Sequence, residues 1–203
     1  MISSRKLAVT AGGSYLVIFF AAIFANFFVL EALAQAPLET VQQQPMAVRL
    51  GILAFMVTVV FDVVVAWALY ELYKGDALSG LSTLFRMMHA AIMGVAVFAL
   101  PEVLTLNSAG DILLQVTRFN TIWLIGLFFF GIHLLLLSRI LGKPRWIAFF
   151  LLLAGVMYIV DTTAHFMLPD YASHADVFLA MVAIPSIVGE MSLAIWLLAK
   201  GGR

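Results

Sequence analysis

The sequence predicts an all-α fold, an integral membrane bundle of six transmembrane helices with both termini in the cytoplasm. Two observations predict this class. Hydrophobic residues make up 64% of the 203-residue chain and charged residues only 11%, whereas soluble chains carry about 45–50% and about 25%. The apolar residues also fall into runs of about 20 residues or more, the length that a helix needs to cross a bilayer.

Six such runs follow one another, separated by segments rich in Pro, Gly, Asn, Gln and charge. Their approximate bounds are 7–31, 47–73, 79–106, 114–138, 145–168 and 175–199. Each is longer than the strand of a membrane β-barrel, which spans about 9–11 residues. Because no polar segment is long enough to separate domains, residues 1–203 are expected to form one transmembrane domain.

The composition excludes several classes of function. Eleven Lys and Arg balance eleven Asp and Glu, so there is no basic surface to recruit nucleic acid. The chain has no cysteine and therefore no disulfide framework or thiol nucleophile. It also lacks the GxSxG elbow and the glycine-rich phosphate motifs. The expected partners are the lipid bilayer and a small-molecule or lipid ligand, and no cofactor can be named from the sequence.

The cations predict the orientation, because Lys and Arg near the ends of membrane spans stay in the cytoplasm. In a six-span arrangement, eight of them fall on one side of the membrane: Arg5, Lys6, Lys74, Arg139, Lys143, Arg145, Lys200 and Arg203. The opposite loops are mainly acidic. Both termini are therefore predicted to lie in the cytoplasm, with the protein in the cytoplasmic membrane as a multi-pass protein.

Five titratable residues inside the runs predict a polar site within the membrane, since a buried charge costs about 2.5–3.5 kcal/mol on insertion scales. At 1.5 Å per residue, all five lie about 9–18 Å from the cytoplasmic ends of their helices. They come from four helices, and Tyr15 on the first helix lies at a compatible depth. The five residues are Asp62, Arg86, His89, His133 and Glu190.

The charges of this group do not balance. Asp62 and Glu190 face a single guanidinium, that of Arg86, which cannot deprotonate. A protonated histidine, a protonated carboxyl or a bound cation must supply the missing positive charge. The imbalance favours a site that binds a small ligand, a lipid head group or protons, in a binding or transport role.

Two alternatives stay open for the same residues. His89 and His133, with Asp62 or Glu190, have the ligand types of a zinc or iron site, and the two histidines suit haem, either of which would make the protein an intramembrane enzyme. The other alternative is a structural protein in which a buried ion network fixes the helix packing.

A second polar group is predicted near the outer face of the membrane. Tyr158, Asp161 and His165 are spaced i, i+3, i+7 along one stripe of the fifth run. Arg118 enters the fourth run at the same level. The expected ion pair in this outer cluster is between Asp161 and Arg118.

Several short motifs resemble a bacterial membrane family, domain-of-unknown-function family four-three-eight-six. The resemblance covers nearly the whole chain and implies a six-helix bacterial membrane protein, and it implies no established activity. The motifs are Phe61-Asp62 through Ala68-Leu69-Tyr70, Phe130-Gly131-Ile132-His133, Gly142-Lys143-Pro144-Arg145, Ala154-Gly155-Val156-Met157-Tyr158, and Gly189-Glu190 through Trp196-Leu197-Leu198.

The predicted orientation can be tested by cysteine labelling, because the chain contains no cysteine of its own. Ala172→Cys lies in a predicted outer loop and should react in whole cells with a thiol reagent that cannot cross the membrane. Ala77→Cys lies in a predicted cytoplasmic loop and should react only after the cells are permeabilised. The reverse pattern would contradict the predicted orientation.

Overall fold

The structure is a computed structural model that describes residues 2–202, and it confirms the all-α fold class. No strand occurs within these residues. Six long helices each have the length and the apolar composition to cross a membrane, so the chain is a multi-pass helical membrane protein. These helices are α1 (Ser4–Gln35), α2 (Pro45–Tyr73), α3 (Ser79–Val97), α4 (Ala109–Leu141), α5 (Arg145–Met167) and α6 (Ala175–Ala199).

The helix bounds differ from the predicted runs where polar residues extend a helix or proline ends one. The run 114–138 lies inside the longer α4, which begins at Ala109 because the Ser108 side chain accepts a hydrogen bond from the backbone N–H of Asp111. The run 79–106 is only partly α-helical. Pro101 has no backbone N–H to donate, and the chain continues past α3 as the 3₁₀ turn Pro101–Thr105.

The first helix contains a π-helical stretch, Phe24–Leu30, and runs beyond the predicted bound of residue 31. Within this stretch, Asn26 donates a side-chain hydrogen bond to the backbone carbonyl of Ala22 at 2.9 Å. Val29 lies close against α2, where a Cβ on Gly51 would come within 2.6 Å of it. The short helix Pro37–Gln43 then connects α1 to α2.

The six long helices form a closed ring. Each helix packs against the next one along the chain, and α1 packs against α6. Arg5 joins the two ends of the chain by donating hydrogen bonds to the backbone carbonyls of Leu197 at 2.9 Å, Gly201 at 3.1 Å and Leu198. The Leu197 and Leu198 carbonyls lie in the last turn of α6 and lack helical partners, so a cation stabilises them. We call this end, with Arg5, Lys74, Lys143, Arg145 and Lys200, the basic end.

Two apolar cores fill the ring and leave a polar layer between them. The core nearer the basic end includes Ala8, Leu69, Leu137, Leu151 and Leu197. The core nearer the opposite end includes Val29, Phe55, Ala96, Ile112 and Phe119. Large apolar side chains also cover the outside of the bundle, as expected for a surface in contact with lipid; Phe20, Phe27, Leu84, Ile184 and Ile195 are each more than 60% exposed.

Small residues bring α1 and α6 into close contact. A Cβ added to Gly12 would lie 2.8 Å from the backbone carbonyl oxygen of Ala194 and 2.8 Å from Cγ of Leu198. A Cβ on the neighbouring Gly13 would meet nothing within 4 Å. Only Gly12 is therefore required for this contact, in the way that small residues serve helix packing in membranes.

We expect Gly12→Ala to lower the free energy of unfolding by about 1–3 kcal/mol, because the added methyl group overpacks a contact that includes backbone. Gly13→Ala is the matched control and should leave stability unchanged or slightly raise it. Unfolding of both variants in detergent micelles measures the difference. Equal stability of the two variants would contradict the close contact between α1 and α6.

Candidate functional site

Two stripes of side chains on adjacent helices build the polar layer. Ser82, Arg86 and His89 are spaced i, i+4, i+7 on α3, and all three are buried. Gly126, Phe130 and His133 repeat this spacing on α4. The helices run antiparallel, so Ser82 contacts His133, Arg86 contacts Phe130, and His89 contacts Gly126. The site is therefore formed mainly at the interface between α3 and α4.

Arg86 is the centre of the cluster and is 1% exposed. One terminal nitrogen, Nη2, donates a hydrogen bond to Oδ1 of Asp62 on α2 at 2.6 Å. The other, Nη1, donates to the hydroxyl oxygen of Tyr15 on α1 at 2.8 Å and lies 3.3 Å from Nε2 of His133. The guanidinium thus links four helices through one planar group.

The contacts of His133 define its tautomer. Arg86 can only donate hydrogen bonds, so Nε2 of His133 accepts and carries no proton. The remaining ring proton is on Nδ1, which donates to the backbone carbonyl oxygen of Ser82 at 3.0 Å and lies 2.9 Å from its hydroxyl. This arrangement holds His133 as a neutral imidazole.

His89 has a different environment, because both of its ring nitrogens face acceptors. Nδ1 donates to the backbone carbonyl oxygen of Gly126 at 3.0 Å. Nε2 lies 3.6 Å from Oδ2 of Asp62, the carboxylate oxygen that Arg86 does not use. A neutral ring would place a lone pair opposite the carboxylate, whereas a doubly protonated ring satisfies both neighbours.

Aromatic rings enclose the cluster. The Phe130 ring packs against the rings of His89 and His133, with centroids 4.7 and 5.7 Å apart. The carbon at the centre of the Arg86 guanidinium lies 5.2 Å from the Phe130 ring and 4.8 Å from the Tyr15 ring. Such cation–π contacts offset part of the cost of burying the positive charge.

Glu190 belongs to this region but lies apart from the hydrogen-bonded group. Glu190 is half-buried on α6, and within residues 2–202 it forms no ion pair. The Nε atom of Arg86 is a buried donor that has no hydrogen-bond partner among the same residues. The structure thus brings together Tyr15, Asp62, Arg86, His89 and His133, and among the described residues Glu190 forms no hydrogen bond or ion pair with any of them.

The predicted outer cluster is only partly formed, and the expected pair between Asp161 and Arg118 is wrong. Arg118 is exposed and contacts Gln115 on its own helix, with 3.5 Å between Nη1 and Oε1. Asp161 instead accepts a hydrogen bond from the hydroxyl of Tyr171 at 2.6 Å. Tyr171 lies in the turn after α5, which brings its ring edge-on to His165 with 4.7 Å between the centroids.

Burial and the neighbouring Asp161 carboxylate raise the pKa of Tyr171 above its usual range. The phenol therefore remains a hydrogen-bond donor to Asp161. Tyr158, which the spacing places in the same outer cluster, packs edge-on against Phe130, with centroids 5.5 Å apart. Its contacts join it to the inner cluster.

The geometry does not favour a metal or haem at the two histidines. Nε2 of His133 accepts a hydrogen bond from the Arg86 guanidinium, and Nδ1 donates one to the Ser82 carbonyl oxygen. Neither nitrogen is therefore free to bind a metal ion. His89 uses Nδ1 as a donor to Gly126. Within the described part of the chain, no three His, Asp or Glu side chains are grouped so that they could hold a metal ion.

Sequence reasoning missed Ser82, Gly126 and Phe130 because none of them is titratable. The spacing itself carried a usable signal, since Ser82 is four residues before Arg86 and Phe130 is three before His133. Residues three or four apart share a helix face. Extending the α3 stripe by one turn reaches Ser82, and extending the α4 stripe by two turns reaches Phe130 and then Gly126.

Removing one member of the Asp62–Arg86 pair should lower the free energy of unfolding by about 3–5 kcal/mol, because the remaining charge is buried without a partner. We expect this loss for Arg86→Met and for Asp62→Leu, measured by unfolding in mixed micelles. The loss in the free energy of unfolding should be much smaller for the double variant than the sum of the losses for the two single variants.

The control is the pair formed by Glu71 and Lys74, whose side chains are 33% and 60% exposed. Lys74→Met should cost only about 0–1 kcal/mol, as is usual for surface pairs. Additive losses in the Asp62 and Arg86 double variant would show that the two charges are not coupled.

Comparison with known proteins agrees with this architecture. A family described as Domain of unknown function (DUF4386) matches residues 10–201. An uncharacterized protein of Archaeoglobus fulgidus is 30% identical over 159 residues, which cover 75% of this chain and 85% of the relative, so similar proteins also occur in an archaeon. No solved structure matches the chain. With its six long apolar helices and a family match over nearly its entire length, the chain belongs to the DUF4386 family.

Proposed function

We propose that the protein binds and releases a proton at the buried cluster, and that this site serves proton-coupled binding or transport across the membrane. The single observation that carries the proposal is the position of His89 between the Gly126 carbonyl and the Asp62 carboxylate. The ring accommodates a second proton there, and Asp62 stabilises the resulting positive charge.

The size of the adjacent cavity favours a proton over a larger ligand. A cavity of about 10 Å³ extends to His133 and is lined by Tyr73, Ser79, Ser82 and Thr83, among others. A cavity of this size holds about one water molecule. A metabolite or a lipid head group needs far more space, so a proton fits the cluster better than either of them.

The charges of the cluster support exchange of a single proton. Arg86 and Asp62 neutralise each other at 2.6 Å. A proton on His89 balances an ionised Glu190, and the cluster is equally neutral when the proton is on Glu190 and His89 is uncharged. These two arrangements hold the same number of protons, so a proton can move between His89 and Glu190 without leaving a net charge in the membrane. Release of that proton from the cluster leaves one net negative charge, and uptake of a proton restores neutrality.

A path for the proton leads from the basic end of the bundle to the cluster, and the cations indicate on which side of the membrane this end lies. The cavity is lined by residues of α2, α3 and α4 near the loop that follows Tyr73, at the basic end of the bundle. Its Tyr, Ser, Thr and His side chains provide hydrogen-bonding groups between that end and the cluster. Following the distribution of cations, we place the basic end in the cytoplasm and the protein in the cytoplasmic membrane.

Nitrogen NMR of protein labelled at its four histidines tests the proton site directly. We expect His89 to show two protonated ring nitrogens in the proton-bound state of the cluster, and His133 to show the neutral form with its proton on Nδ1. His89→Gln and His133→Gln assign the signals. Asp62→Asn should remove the second proton from His89, because the carboxylate that stabilises it is gone.

Histidine ordinarily changes charge between about pH 5 and pH 8. If the His89 ring of the wild-type protein stays singly protonated throughout this range, His89 is not the proton carrier.

Liposomes that enclose a pH indicator then separate a proton path from a static ion network. The wild-type protein should speed the collapse of an imposed pH gradient, and His89→Gln and Glu190→Gln should return the rate to that of protein-free liposomes.

Glu71→Gln is the matched control, since it removes a carboxylate from the exposed pair at the basic end. It should leave the flux unchanged. A wild-type rate equal to that of protein-free liposomes would support the purely structural alternative, in which the ions only fix the packing of the helices.

A further inference from the structure

A second site is present at the basic end, on the outside of the ring. A groove of about 420 Å³ lies between the start of α5 and the end of α6. Trp146 and Trp196 contribute to its walls together with Ser192, Ile195 and Lys200. The volume lies within the usual range of small-ligand sites, about 300–1,000 Å³, and greatly exceeds that of the cavity beside His133.

The groove is polar at its outer end and apolar at depth. Lys200 follows the last turn of α6, and Ser192 is eight residues earlier, about 12 Å deeper along the helix. Between them, Ile195 is 61% exposed on the surface that faces lipid. Trp146, at the second position of α5, is 53% exposed, and tryptophan is enriched at the level of lipid head groups.

The exposed charged residues in the two segments that line the groove are of one sign. In the segments 139–150 and 191–202, which include all of the groove residues, the charged residues are Arg139, Lys143, Arg145 and Lys200. An anionic group is therefore favoured at the outer end, and a hydrocarbon chain fits the apolar part below. Basic pockets between helices on the cytoplasmic side of a membrane bind lipid phosphates in this way.

We propose that this groove binds an anionic phospholipid, with the phosphate at Lys200 and the start of an acyl chain between Trp146 and Ile195. The occupant is a lipid and not a free phosphate, because only a lipid uses both parts of the groove. This site is independent of the proton cluster and shares no residue with it.

Tryptophan fluorescence provides the test, because two of the four tryptophans line the groove. In a Trp67→Phe, Trp123→Phe background, the remaining emission comes from Trp146 and Trp196. The protein is placed as a single copy in phosphatidylcholine nanodiscs that contain a small fraction of brominated phosphatidylglycerol or brominated phosphatidylcholine. Brominated phosphatidylglycerol should quench at a lower fraction than the zwitterionic lipid.

Lys200→Gln should reduce this preference about five-fold, the contribution of one lysine near an anionic surface. Lys200→Arg should preserve it, and Lys74→Gln, an exposed cation at the same end but outside the groove, should have no effect. Equal quenching by the two lipids in the wild-type protein, or a preference that survives Lys200→Gln, would overturn the proposal.

Two further arms test the other occupants of the groove. Soluble glycerol phosphate that displaces the brominated lipid would assign the site to a free phosphate and overturn the lipid proposal. Loss of quenching in nanodiscs that contain two copies would assign the groove to a second copy of the chain. Quenching that is unchanged in both arms supports a lipid.

Discussion

The buried guanidinium of Arg86 is the constraint on which the rest of the structure depends. It cannot release its proton, so the helices around it must supply acceptors in the plane of the group. Asp62 on α2, Tyr15 on α1 and His133 on α4 meet this requirement at 2.6, 2.8 and 3.3 Å. These bonds fix the rotation of three helices relative to α3, and the apolar cores then pack above and below the polar layer.

The arrangement separates two kinds of chemistry. The cluster inside the ring is enclosed by aromatic rings and adjoins space for about one water, which suits an exchangeable proton. The groove outside the ring has room for part of a lipid and cations at its polar end. The two ligands proposed for this protein, a proton and a lipid, would therefore occupy different places in the molecule.

The six spans could be predicted from the sequence because the cost of burying polar residues in lipid leaves long apolar runs. The members of the inner cluster share one depth, which the sequence also shows. The choice of partners depends on helix rotation and on turns, so Asp161 bonds to Tyr171 and not to Arg118. Neutral groups such as the Gly126 carbonyl carry no signal in composition, although this carbonyl oxygen accepts a hydrogen bond from Nδ1 of His89.

The contact between Arg5 and the end of α6 has a consequence for biosynthesis. α1 and α6 are neighbours, although four helices separate them in the sequence, so the ribosome makes α6 only after α2 to α5. The surface of α1 around Gly12 therefore lacks its packing partner on α6 while the four intervening helices are inserted. Tyr15 reaches Arg86 once α3 has been inserted, but Glu190 lies on α6, so the cluster cannot acquire all of its charged groups until that helix has been made.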